Sequence, residues 1–548
     1  MFRKRLAPGL VLFTLCIQAL NAEGLSGRVQ FTDVTASAGL DFQHSNGGFG
    51  DFRLLEIMGS GAALLDYDLD GYLDLFLVNG SSIPDWKKTD PTSKLFHNRG
   101  DGTFGDATEG SGLLLKTYGM GAAVGDFDND GDPDLCVTGY PRSYLFQNNG
   151  DGTFSDISKV AGIENQGHWG SSAGFVDFDR DGFLDLFVCN YVSYRPQDES
   201  FCGNGNHRNY CHPTTFEGDL SVLYHNRGDG TFADVSVSSG IAATQGKALG
   251  VAFADFNGDH YPDIFVANDT LADFLFKNTQ DGTFEEVGFA SGVALDENGE
   301  PRAGMGTDFG DYDGDGKLDL VVTNFADEGN ALFRNEGAIF TEVTFRSGIH
   351  EKSYLKVGFG TRFFDYDNDG DLDAFMANGH IDPSIKQLRD YVSFRQENLL
   401  YENVGGRFRE VSSQSGSWST VRDLSRGAAF GDVDNDGDVD IVVTNNGGRV
   451  NLLRNEGGNR KNWLILKLVG VKSNREGIGA QVRARVGKSV LHRRVETAAS
   501  YLSSQDPRIH LGLGDAEEVS ELEIDWPSGT RQKLRGLRAN RILTITEE

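Results

Sequence analysis

A nine-residue acidic pattern, D-x-D-x-D-G-x-x-D, recurs along this chain and constrains its fold more than any other feature. The copies are DYDLDGYLD from Asp66, DFDNDGDPD from Asp126, DFDRDGFLD from Asp177, DFNGDHYPD from Asp255, DYDGDGKLD from Asp311, DYDNDGDLD from Asp365 and DVDNDGDVD from Asp432. Their first aspartates are 60, 51, 78, 56, 54 and 67 residues apart. A supersecondary unit of about 50 residues repeated in this way buries its apolar faces against its neighbours, as propeller blades do. The two long intervals carry insertions, one the cysteine-containing loop over residues 191–217 and the other the segment NGHIDPSIKQLRDYVSFRQEN from Asn378.

Each copy sits in the same local register. Small residues precede it, as in Gly61-Ala62-Ala63, Gly121-Ala122-Ala123, Gly250-Val251-Ala252 and Gly427-Ala428-Ala429. Such residues suit an innermost strand, where backbones crowd beside the propeller axis. An apolar strand follows, for example from Leu73 to Val78, and its character implies that both faces are covered. A third strand begins near Leu95-Phe96 and its counterparts, and four of the repeats then turn through Asp-Gly-Thr-Phe, a strong hairpin signal. The fourth strand reads FGDAT from Phe104, FSDIS from Phe154, FADVS from Phe232, FEEVG from Phe284, FTEVT from Phe340 and FREVS from Phe408. The seventh such strand stands ahead of all the repeats, as FTDVT from Phe31. The pattern predicts an all-β, seven-bladed propeller whose last blade takes its outer strand from the N-terminal side, leaving no open sheet edge.

The acidic loops read as calcium sites. Calcium takes six to eight oxygens at about 2.3 to 2.6 Å in a tolerant geometry. Carboxylates at positions 1, 3, 5 and 9, a turn-permitting glycine at 6 and a backbone carbonyl at 7 supply such a shell. The predicted ligands are Asp66, Asp68, Asp70 and Asp74 in the first loop, then Asp126, Asp128, Asp130 and Asp134, then Asp177, Asp179, Asp181 and Asp185. They continue with Asp255, Asn257, Asp259 and Asp263, with Asp311, Asp313, Asp315 and Asp319, with Asp365, Asp367, Asp369 and Asp373, and with Asp432, Asp434, Asp436 and Asp440. The fourth loop has Asn257 at position 3 and His260 in place of glycine, so it should be the weakest site. Unneutralised carboxylates packed this closely repel strongly, which argues against mere surface decoration, and magnesium's strict octahedron suits such loops less well.

Charge and cysteine usage bound the rest. The formal charge is −31, which repels nucleic acid; seven Ca²⁺ ions would bring it to −17. Residues 459–548 carry 16 Lys and Arg against 11 Asp and Glu. That segment is therefore distinct from the acidic remainder, and its interspersed acids read as an ordinary mixed surface rather than as a patch for polyanions or for the acidic loops. Arg3, Lys4 and Arg5, the apolar run Leu10 to Leu20 and the small residues to Ala22 have the layout of a cleavable export signal over residues 1–22. The expected organisation is that signal, a propeller over 27–458 and a β-rich unit over 459–548, secreted or periplasmic, with no transmembrane segment. Cys202 and Cys211 lie in CGNGNHRNYCHP; with His207 and His212 a zinc site is conceivable, but the spacing is not a standard one and a loop-closing disulfide is the simpler expectation. Cys136 and Cys189 sit on apolar strands, either as buried thiols or as a second bridge.

The repeats resemble the FG-GAP or VCBS-type repeats of integrin α-subunit propellers and of many exported bacterial proteins. NREGIGAQV from Asn474, SYLSSQ from Ser500, HLGLG from His510 and IDWPSG from Ile524 resemble the ASPIC/UnbV domain. The pairing is that of the cartilage acidic protein family and its bacterial relatives, and it implies an extracellular calcium-binding propeller with a small C-terminal β-sandwich or barrel. Strands are expected there at Trp463 to Val469, Ala480 to Val486, Val519 to Asp525 and Ile542 to Thr546. GSSAG from Gly170 mimics a nucleophile elbow but runs into Asp177 with no helix after it. Arg-Gly-Asp at Arg99 and at Arg227 falls on hairpin tips whose Gly-Asp the repeat itself dictates. No triad or phosphate loop stands outside the acidic loops. The reading is an extracellular binding, adhesion or scaffold protein for a protein or glycan partner, using face loops around His44, Asn46, Asp269, His380 and the cysteine loop. The alternative is a secreted enzyme or cofactor protein with His44, His212 and His380 as acid-base or metal groups on that face.

Overall fold

The computed structural model describes residues 28–48, 50–81, 92–115, 117–204 and 207–548. The export signal expected over residues 1–22 lies outside them. Seven four-stranded antiparallel sheets form the blades. In the first, Ala62–Leu65, Asp74–Leu77, Lys94–Asn98 and Phe104–Asp106 run from the axis outward. Leu65 pairs with Asp74, so the acidic loop is the turn of the innermost hairpin. The other inner strands are Tyr118–Gly125, Gly170–Val176, Ala248–Ala254, Thr307–Gly310, Gly358–Phe364 and Ser425–Gly431. Each lies beside the inner strands of the two neighbouring blades, and the seventh lies beside the first, which closes the ring.

Closure rests on the N-terminal strand. Gln30–Asp33 pairs with Asn451–Glu456, Phe31 opposite Asn455, and completes the seventh blade. Phe31 is buried in a cluster with Trp418, Phe375, Phe430 and Leu453 that fills the space between the sixth and seventh blades. Equivalent clusters fill the other gaps between blades, the one between the seventh and first holding Leu64, Leu75, Ala429 and Val442. Burying each large side chain contributes about 1.5–3 kcal/mol, so the ring is held chiefly by these inter-blade cores.

A second device links the blades. The third strand of each carries an asparagine at or next to its end, and its side-chain N–H donates to the carbonyl of position 2 in the preceding blade's acidic loop. Asn148 reaches Tyr67 at 2.8 Å, Asn226 reaches Phe127, Asn278 reaches Phe178, Asn335 reaches Phe256, Asn403 reaches Tyr312 and Asn455 reaches Tyr366. Asn98 donates to Val433 at 2.7 Å and so joins the first blade to the seventh.

The C-terminal unit is a sandwich of two sheets. One is ordered Ser489–Arg494, Gln481–Val486, Glu518–Asp525, Arg531–Arg538; the other is Ile509–Gly514, Asn462–Val469, Ile542–Thr546. Leu464, Leu466, Val482, Ala484, Leu522 and Ile524 form its core. The connection between the two sheets, residues 495–508, enters the axis of the propeller. There Ala62 receives the Ser504 N–H, Ala122 donates to Leu502, and Thr307 and Ser500 exchange two backbone hydrogen bonds. A Cβ at Gly61 would stand 2.0 Å from the Leu502 carbonyl oxygen, so the inner strand can pass the plug only as glycine. The central channel is therefore filled by backbone and buried side chains of the C-terminal unit, Tyr501 and Leu502 among them.

Candidate metal centres and the opposite face

The acidic loops share one geometry. At position 9 the two carboxylate oxygens each accept a backbone N–H: Asp74 takes Tyr67 at 3.1 Å and Asn98 at 2.7 Å. The same pair of bonds holds Asp134, Asp185, Asp263, Asp319, Asp373 and Asp440. Position 1 accepts the N–H of position 6, as Asp126 does from Gly131 at 2.8 Å and Asp365 from Gly370 at 2.8 Å. These bonds aim the carboxylates inward and leave lone pairs free, since a carboxylate offers about four acceptor sites.

The electrostatics of the loops call for a cation. Asp66, Asp68 and Asp70 bring ligand oxygens within 4.8 Å of one another, as do Asp126, Asp128 and Asp134, and Asp177, Asp179 and Asp185. Burial, reinforced by neighbouring carboxylates, pushes Asp74, Asp126, Asp177 and Asp319 up to about 8, and Asp134, Asp373 and Asp440 well above the carboxylate range. Asp177 Oδ1, Asp311 Oδ1 and Asp434 Oδ1 are buried without a hydrogen-bond partner among the described residues. Buried anions and orphaned oxygens of this kind are costly unless something positive completes the shell. The hard, all-oxygen donor sets fit calcium.

The fourth loop keeps the turn but fills it with amides. His260 adopts φ +70°, a left-handed conformation that costs a side chain energy and that glycine adopts freely. Asn257 Nδ2 donates to Asp259 Oδ2 at 3.0 Å, and Gln481 Nε2 from the C-terminal unit donates to Asp255 Oδ2 at 3.1 Å.

One position beside the loops escaped the sequence reading. In four blades the side chain of the residue before the third-strand asparagine reaches the acidic turn. His97 Nδ1 lies 3.2 Å from both Asp68 and Asp74, His225 Nδ1 3.1 Å from Asp185, Gln147 Nε2 2.6 Å from Asp128 and Arg334 Nε 2.8 Å from Asp313. The sequence does show Leu, then Phe, Tyr or Leu, then x-Asn in this register, but x varies so widely that its common location is visible only in three dimensions.

A family model described as an FG-GAP-like repeat matches residues 66–137, 126–188, 214–266, 255–322, 311–376 and 365–443, and one described as ASPIC and UnbV matches residues 470–548. This chain belongs to the FG-GAP repeat family. The FG-GAP chain is similar to cartilage acidic protein 1 of Xenopus tropicalis, 26% identical over 69% of this chain, and of Homo sapiens, 25% identical over 66%. It covers 54% and 50% of the lengths of those relatives. Among solved structures, an Agrocybe aegerita protein that recognises non-reducing terminal N-acetylglucosamine aligns with a TM-score of 0.41 and 15% identity over 73% of this chain and 94% of that one. That likeness is too distant to transfer any residue's role.

In this FG-GAP protein the ASPIC/UnbV domain sits on the acidic loops, contrary to the mixed-surface expectation. Lys461 lies 3.1 Å from Asp367 and Lys467 lies 3.8 Å from Asp66. Arg508 donates to Asn435 Oδ1 at 2.7 Å and to the Asp432 carbonyl at 2.8 Å, and Arg493 to the Gly370 carbonyl at 3.0 Å. Glu476 accepts the Asp126 N–H at 2.9 Å. The expectation failed because the charges of this domain are sorted in space: Lys533 and Arg535 pair with Glu521 and Glu523 on their own sheet, while Lys461, Lys467, Arg493 and Arg508 lie on the side that meets the loops.

The inner strands begin on the opposite face, where Met58, Tyr118, Met120, Trp169, Leu249, Met305, Val357 and Phe359 cluster around Tyr501 and Leu502 from the tip of the plug. The face residues singled out from sequence do gather here, but mostly below the surface. His44 and His380 are each 2% exposed and Asp269 is 7% exposed. Burial pushes His44 down to about 3 and His380 down to about 4. Asn46 donates to the Glu56 carbonyl at 3.0 Å. His212 lines a cleft together with Asp269, Phe325 and Ile381. Cys202 and Cys211 form a disulfide, and Cys136 and Cys189 are buried free thiols. Among the described residues no helix is long and apolar enough to cross a membrane.

Proposed function

We infer that this chain is an extracellular binding or scaffold protein whose propeller is held by calcium in its acidic loops, up to seven ions. The observation that carries this reading is the row of buried position-9 aspartates, each anchored by two N–H donors and surrounded by further carboxylates with too few cations to neutralise them. Calcium, when bound, would join the innermost hairpin of each blade to its acidic turn. The loops also carry the ASPIC/UnbV domain, so the ions would set the surface on which that domain docks. The Cys202–Cys211 disulfide and the export-type leader support a location outside the cytoplasm. Elemental analysis after equilibration in millimolar calcium and gel filtration tests the reading: six firmly held ions per chain are expected, with the loop from Asp255 weakly filled or empty. Protein that retains no calcium would overturn it.

A further inference from the structure

A cleft of about 90 Å³ opens on the face away from the acidic loops. Its walls are apolar and sulfur-rich, with Met58, Met305 and Phe359 among them, and two carboxylates, Asp269 and Glu328, stand in it. The Asp269 carboxylate accepts a single hydrogen bond among the described residues, from the Tyr191 hydroxyl. The neighbouring ammonium group of Lys247 donates to the Pro213 carbonyl at 2.9 Å and acts on Asp269 through space, with no hydrogen bond between the two. The Arg426 guanidinium stacks at 4.0 Å on Phe359 and donates to the carbonyls of Ile57, Gly379 and Ser425, and it makes no hydrogen bond to Asp269. Glu328 uses one oxygen on the N–H groups of Ala303 and Phe325.

A buried carboxylate without a hydrogen-bonded cation is expensive, and it persists where a ligand completes it. Thr270, the next residue, supplies an independent sign. It is β-branched yet held at φ +60°, and its hydroxyl is buried without a partner. Strain of this kind concentrates where a loop is shaped for binding. An anion would meet two carboxylates here. A hard metal ion would find too few oxygens between thioether and aromatic walls.

We propose that this cleft binds a small organic cation, an ammonium group carried on an apolar body, with Asp269 as its counter-ion and the Tyr191 and Phe325 rings beside it. Aromatic faces attract such cations, and the sulfur-rich walls accept the apolar part. The plug connects the cleft to the rest of the molecule: Tyr501 donates its hydroxyl to the Met58 carbonyl at 2.8 Å and packs its ring 5.1 Å from that of Phe359. The assignment deepens the binding reading above and rests on it.

The test uses the calcium-equilibrated full chain titrated calorimetrically with phenethylammonium, with benzyltrimethylammonium and with the neutral analogue 2-phenylethanol. The two cations should bind and the alcohol should bind about tenfold more weakly or not at all, a difference of about 1.4 kcal/mol. Asp269→Asn should weaken cation binding by about tenfold while its calcium content and melting temperature stay those of the parent. Equal binding of the alcohol and the cations would overturn the proposal, and so would no cation binding up to about 10 mM. The comparison of cation with alcohol needs no variant, so poor folding of Asp269→Asn leaves the proposal falsifiable. Failure of the cations with the calcium ions in place removes the cleft assignment alone; loss of calcium removes the reading beneath it.

Discussion

Asn257 and His260 are where the fourth acidic loop departs from the repeat. Restoring the repeat pattern with Asn257→Asp and His260→Gly supplies the missing anion, removes the amide that now donates to Asp259 and relieves the positive φ. Calcium titration should show one additional tight site per chain, with affinity raised by about tenfold or more; an unchanged count would mean that the loop fails for another reason. Glu547 offers a test of a different carboxylate. Burial works against its ionisation, yet the N–H groups of Ser473, Val471 and Lys472 and the Ser528 hydroxyl draw it down to about 2. A depressed carboxyl stabilises the fold above its ordinary range and loses that effect as pH falls through the folded value. Glu547→Gln should therefore cost about 1–2 kcal/mol at pH 7, and denaturant unfolding should show the gap to the parent narrowing toward pH 3. The acidic turns were legible from sequence because each closes the same inner hairpin and holds the same backbone N–H groups, which fixes the aspartate spacing. The asparagine ring was not, because each side chain acts on a carbonyl in a different blade.

At the scale of the strand, the phenylalanine-led outer strands and the small-residue inner strands were both legible, since each follows from what lies beside it in every repeat. Phe31 carries the closure. Phe31→Ala should remove about 3–5 kcal/mol through the cavity left between Trp418, Tyr366 and Leu453, read as a lower midpoint in denaturant unfolding. A loss below about 1 kcal/mol would show that the ring does not depend on this strand. The sandwich was read less completely. Trp463 to Val469 and Val519 to Asp525 were recovered because they alternate or run apolar, whereas Arg531–Arg538 and Ser489–Arg494 are edge strands of charged residues whose pairing comes from their neighbours.

The whole molecule holds what the sequence could not display. Residues 495–508 lie far along the chain from every inner strand they touch, and nothing in SYLSSQ announces a segment that fills a channel built by other repeats. The bases of the ASPIC/UnbV domain meet the acidic loops for the same reason, through placement rather than composition. Propeller, plug and docked domain thus share the acidic face, and calcium would stabilise all of them together. Calcium binding at pH 7 should also release protons, because burial holds several of the ligands near 8 in the metal-free fold. Calorimetry in buffers of different ionisation enthalpy reads that release, and a buffer-independent enthalpy would contradict it. The most direct measurement is thermal melting of the full chain in millimolar calcium and again after chelation. Without calcium the melting temperature should be lower by about 15 °C or more, with the propeller and the docked domain destabilised together. An unchanged melting curve would contradict the calcium reading.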